Sequence, residues 1–261
     1  MPSHLDHNAA GAAMAVWFAF AVPFVAAVGY VAAAGRVRRR GGIWPWWRTA
    51  LWCAGLLTAA TAILGPETLR RHDFTVHMIG HLLLGMAAPL LLVSAAPFTL
   101  ALRALPVGRA RQLARLLHAE PVRVLTHPLA AAVLNAGGLW LLYTAGLYQH
   151  MNSRTWLHLA VHAHIALAGY LFTAAIIGVD PAPRRPAPRV RVAVVVAFLA
   201  AHDILAKYLY VHPPAGVGAE QAKAGGKVMY YGGDLLDLIL ITVFCWQWYT
   251  VSRPRIRRMA T

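Results

Sequence analysis

The chain has 261 residues, of which 59% are apolar and 13% charged, with a net charge of +15. That balance excludes a soluble domain of this length. Basic charge of this size raises nucleic acid as a partner, but its distribution along the chain answers against it.

Seven stretches are each long enough, at roughly 17–25 residues, to cross a bilayer. They lie near 12–34, 47–65, 74–95, 128–147, 156–177, 190–210 and 232–251. The longest connection is about 30 residues, which leaves no room for a soluble domain. The expectation is one all-α, polytopic membrane domain over residues 1–261, with seven transmembrane helices.

Eighteen of the 24 basic residues fall in alternate connections: Arg36, Arg38, Arg39, Arg40, Arg48, then Arg103, Arg109, Arg111, Arg115, Arg123, then Arg184, Arg185, Arg189, Arg191, then Arg253, Arg255, Arg257 and Arg258. This is the positive-inside pattern. It puts the N-terminus outside and the C-terminus in the cytoplasm. The charge is read as topology and contact with anionic lipid, with no nucleic-acid partner.

In chain order, the first stretch is preceded by MPSHLDHN, which lacks the positive start of a secretory signal. His4, Asp6 and His7 are read as a solvated terminus. Trp44, Trp46 and Trp47 suit an interfacial belt. Cys53 and Cys245 are expected to be unpaired packing residues.

The third stretch reads HDFTVHMIGHLLLGMAAPLLLVSAAP over residues 72–97. His77 and His81 are four apart and share a helix face, with Asp73 one turn earlier. Ionisable groups within a span are expensive and point to function. Next, Leu113, Leu116 and Leu117 alternate with Arg109, Arg111 and Arg115, which predicts a helix lying on the membrane surface. His118 and His127 are ordinary loop histidines.

The fourth stretch carries Asn135, with Tyr143, Tyr148 and His150 towards its far end as a second aromatic belt. The fifth opens HLAVHAH, where His158 and His162 share a face and His164 points elsewhere. DPAPRRPAPR is a linker. The sixth ends in AHDILAKYLYVH, where Asp203 and Lys207 are spaced to pair beside His202. PPAGVGAEQAKAGGK is a flexible loop by composition. The seventh begins MYYGGDLLDL, with Asp234 and Asp237 on one face.

Counting about 1.5 Å per residue, His81, His162, His202 and Asp237 each lie on the order of 7–12 Å below one surface. His77, His158, Lys207 and Asp234 form a shallower layer. Four helices thus bring polar groups to one depth, and such groups turn inward. Imidazoles with nearby carboxylates suit copper, zinc or iron, with the carboxylates orienting the rings. Met78, Met151 and Met229 lie on the same side, and thioether suits Cu(I). Haem ligation by His81 and His162, a carrier for protons or ions, and a hydrogen-bonded cluster joining helices are the other readings. No nucleophile arrangement suggests an enzyme.

HMIGHLLLGMAAPLLLVSAAP, with His77, His81, Pro89 and Pro97, resembles the signature helix of the multi-pass CtaG family of cytochrome c oxidase assembly factors. The HLAVHAH stretch and the acidic entry to the last helix are similar too. There the family commonly has an acidic residue followed by glutamine, whereas here leucines separate Asp234 and Asp237. The resemblance implies a protein of the bacterial plasma membrane that supplies copper to the haem–copper oxidase. Oxidase subunits or an extracytoplasmic copper chaperone are its implied partners, with the lipid bilayer around it. Candidate metal residues are His77, His81, His158, His162 and His202. Asp73, Asp203, Asp234 and Asp237 would orient ligands or shape the entrance. A membrane haem-binding electron-transfer protein and a copper importer are the alternatives.

Overall fold

The computed structural model describes residues 4–69, 73–151, 154–181 and 185–252, and side chains from residue 20 onwards apart from 66–69 and Thr155. The side chains of His4, Asp6 and His7, the Arg70–His72 run and the arginines beyond 252 lie outside the described residues. Every described element is a helix. In chain order these are α1 (His4–Arg39), α2 (Trp46–Leu69), α3 (residues 74–94), α4 (Pro97–Ala104), α5 (Val107–Leu117), α6 (Glu120–Leu125), α7 (Pro128–Thr144), α8 (Leu147–Met151), α9 (Thr155–Ile177), α10 (Pro188–Val211) and α11 (Ala219–Ser252). Among the described residues, six helical stretches are long and apolar enough to cross a membrane; α7 is apolar but shorter. Valines and aromatics stand outward along α1 and α11, as a lipid-facing surface requires.

The central helix α3 starts where Asp73 accepts the backbone N–H groups of Thr75 at 2.8 Å and Val76 at 3.4 Å. Below His81 it loosens into a π-helical turn, Leu83–Ala87. Pro89 has no N–H for the Gly85 carbonyl, so a regular ladder cannot continue there. That carbonyl faces Gly169 of α9 so closely that no Cβ fits. A second π-helical turn, Val133–Gly137, interrupts α7. His164 of α9 approaches the Leu134 carbonyl there, with Nε2 at 3.1 Å. His164 thus turns away from the other histidines, as its position round the helix predicts.

α3 ends at Ala95–Ala96, with Ala96 in the left-handed region at φ 55°. Tyr30 donates its hydroxyl to the Ala95 carbonyl at 2.7 Å and ties α1 to the bend. α5 and α6 contribute no buried residue, as surface helices would.

Three sequence readings need correction. The expected loop through AEQAKAGGK is the first part of α11, which begins at Ala219. Glycine costs helix stability, but Gly225 and Gly226 are where α11 approaches its neighbours: a Cβ on Gly225 would lie 2.5 Å from the Phe74 ring, and one on Gly226 3.0 Å from the Ala206 carbonyl. Tyr143 and Tyr148 are buried in the bundle and form no interfacial belt. Cys53 and Cys245 are free and exposed at the helix surface, so they are not core packing residues.

Candidate functional site

At the end of the bundle where α3, α9 and α11 begin, the histidines form two layers. The outer one joins α3, α7 and α9. His77 lies edge-on to His162, ring centres 6.4 Å apart, and His158 lies 4.2 Å from His162. The His77 Nε2 is 3.1 Å from the Tyr143 hydroxyl, which also contacts the Met78 sulfur at 3.6 Å. Met78, Met151 and Met229 are buried in one apolar cluster with Phe74, Tyr143 and Tyr148. The His162 Nδ1 approaches the His158 carbonyl at 2.9 Å.

The inner layer joins α3, α10 and α11. His81 and His202 stack with ring centres 6.1 Å apart. Both are almost completely buried, as is Asp237. Among the described residues, neither nitrogen of either ring and neither carboxylate oxygen of Asp237 has a hydrogen-bond partner. Orphaned buried polar atoms are rare and costly in native folds, and each calls for a reason. Gly233 makes the His202 position possible, since a Cβ there would come within 2.6 Å of His202 Cε1. Asp203 Oδ1 is 3.9 Å from His202 Nδ1.

Below this layer, Asp237 lines a cavity of about 10 Å³ together with Asn135, Thr173 and Gly85. That is room for about one water molecule. His81, Asn135, Thr173, His202 and Asp237 are the buried polar residues among those described. Sequence reading noted Asn135 without a role and missed Thr173. A threonine in a helix whose hydroxyl can bond its own backbone gives no signal of where it points.

The nine candidate residues therefore separate. The histidines come together in two sets, His77 with His158 and His162, and His81 with His202. Asp237 joins the second set. Asp73 is committed to capping α3. Asp234 is exposed, one turn from Asp237 but on another face. The expected Asp203–Lys207 pair does not form: the Lys207 ammonium lies 4.9 Å from the Tyr230 ring centre, on the neighbouring helix. Among the described residues no group of three or more His, Cys, Asp or Glu side chains is arranged to hold a metal ion.

A family model described as cytochrome c oxidase caa3 assembly factor (Caa3_CtaG) matches residues 28–251. The chain belongs to this family. The match takes in α2 to α10 and nearly all of α11, and so both histidine layers. Among curated proteins, an uncharacterized protein of Mycobacterium leprae is 32% identical over 234 residues, covering 81% of this chain and 35% of its own length. An uncharacterized protein of Mycobacterium bovis and one of Mycobacterium tuberculosis are each 39% identical over 158 residues, covering 57% of this chain and 24% of their own lengths. The chain thus spans about a third or less of these relatives. No solved structure matches it.

Proposed function

We propose that this caa3 assembly factor receives copper as cargo at its histidine layers and passes it to a subunit of the oxidase. The role is non-catalytic. The observation that carries the reading is the inner layer: two buried imidazoles and a buried carboxylate, none with a hydrogen bond among the described residues. A cluster serving only to join helices would have its polar groups bonded to one another. Imidazoles without a hydrogen bond are instead free to ligate, and Cu(I) accepts as few as two ligands. The outer layer, with three histidines and three buried methionines, has the donor types that soft copper prefers. Asp237 would balance the charge of the cation.

The topology that serves this function has seven spans, an extracytoplasmic histidine end and a cytoplasmic carboxyl terminus, in the bacterial plasma membrane. α7 supports the seventh crossing. It starts at the arginine-rich end, where His127 caps it, and at its other end Tyr143 meets His77. The partners would be oxidase subunits or an extracytoplasmic copper chaperone.

Haem ligation is less well supported. His81 and His162, the pair that would ligate haem, stand in different layers, His162 beside His77 and His81 stacked on His202. The deciding experiment is metal analysis with an optical spectrum on detergent-purified protein from copper-supplemented cells. Near-stoichiometric copper, clearly reduced in the folded His81→Ala/His202→Ala variant, is expected. A folded double variant that keeps its full copper overturns the inner-layer assignment. Iron with a Soret band would replace copper delivery with electron transfer.

A further inference from the structure

At the opposite, arginine-rich end, a cleft of about 1250 Å³ opens between α6, α7 and the second half of α9. It exceeds the roughly 300–1,000 Å³ of ordinary small-molecule sites. Its walls are apolar, with Leu129 and Val133 of α7 facing Leu167, Leu171 and Ala174 of α9. From Leu167 to Gly178 the cleft follows α9 for about 16 Å at 1.5 Å per residue. That is about half of the ~30 Å hydrocarbon core, or one leaflet.

The mouth of the cleft is polar and basic. Arg123, His127 and Arg185 line it, with Glu120 and Asp180 as its acids. Both acids are already engaged. Glu120 accepts from Arg123 at 2.5 Å. The Asp180 carboxylate accepts from Phe98 N at 3.2 Å, from Thr99 N at 2.7 Å and from the Thr99 hydroxyl at 2.6 Å, so it serves the start of α4. Arg185 donates one N–H to the Asp180 carbonyl. Each guanidinium has five donors, so both keep N–H groups for an anion, and phosphate matches their geometry. Arg109, Arg111 and Arg115 of α5 extend the positive field away from the mouth.

We propose that this cleft binds one anionic membrane phospholipid, with acyl chains along α7 and α9 and the phosphate at Arg123 and Arg185. Length, apolar walls and a basic rim at one leaflet's surface together define that occupant. The site is separate from the histidine layers and does not depend on copper.

The test uses the full chain in detergent micelles doped equally with phosphatidylglycerol and phosphatidylcholine, read by native mass spectrometry. The wild type is expected to retain one phosphatidylglycerol, with a preference on the order of tenfold over phosphatidylcholine. Arg123→Gln/Arg185→Gln should lose the preference, while Arg109→Gln/Arg111→Gln, off the cleft, keeps it. Ala174→Trp, which fills the apolar wall, should lose retention of both lipids. Equal retention of the two lipids by the wild type overturns the proposal even if no variant folds. So does a preference unchanged in folded Arg123→Gln/Arg185→Gln. Retention of no lipid at all would also overturn it and leave the cleft as a face for a partner's helix.

Discussion

His202 sits on Gly233: a Cβ at that glycine would come within 2.6 Å of the His202 Cε1 atom. The last helix therefore shapes the inner histidine layer by leaving out a side chain. Gly233→Ala should gain about 1 kcal/mol of helix propensity and lose about 1–3 kcal/mol to the displaced ring. The expected net result is a lower thermal midpoint and less bound copper, measured together on the same preparation. A higher midpoint with unchanged copper would mean that the ring has room to move.

The orphaned nitrogens of His202 make a second prediction. An unpartnered buried polar group costs about 1–3 kcal/mol, and an apolar side chain of similar shape removes that cost. His202→Leu should therefore unfold at a higher temperature than the wild type when a chelator keeps copper away. Adding copper should raise the wild-type midpoint more than the variant's. A less stable metal-free variant would show that His202 already has a partner in the bilayer.

The contact between α3 and α9 has no slack at Gly169, where a Cβ would run into the Gly85 carbonyl. Backbone cannot step aside as a side chain can. Gly169→Ala should fail to give a monodisperse, helical protein, whereas Gly29→Ala, with open space around it, should be tolerated. Expression yield and size-exclusion profiles of the two variants make the comparison.

Asp180 offers a test away from the histidines. Its carboxylate accepts two backbone N–H groups and one hydroxyl at the start of α4. Asp180→Ala should cost about 1–2 kcal/mol, as loss of a helix cap does. Thermal unfolding reads the cost, and copper content should stay at the wild-type level. Copper loss in a folded Asp180→Ala protein would tie the two ends of the bundle together.

Much of this protein was legible in its sequence. Apolar runs fixed the helices because a backbone in hydrocarbon must satisfy its own hydrogen bonds. α9 was expected over 156–177 and runs from Thr155 to Ile177. The i, i+4 spacing put His158 with His162, and matched depth brought His202 towards His81. The same depth count placed His162 with His81 and apart from His77, whereas His162 stands beside His77 in the outer layer. Asp73 was grouped with the histidines, although a carboxylate before an apolar run is also a capping signal, and capping is what it does.

What the sequence left open was decided between helices. Composition assigned Gly225 and Gly226 to a loop, but close packing against Phe74 and the Ala206 carbonyl keeps them helical. Spacing allowed Asp203 to pair with Lys207, yet the Tyr230 ring on the next helix holds the ammonium. Periodicity cannot tell Asp234 from Asp237, and only packing buried one and exposed the other. The same holds for Asn135 and Thr173, which meet Asp237 at one cavity from three helices. Local chemistry sets which backbone forms and roughly how deep each group lies. Which groups share an interior depends on how the helices cross, and that is fixed by side-chain volume at contacts far apart in the chain.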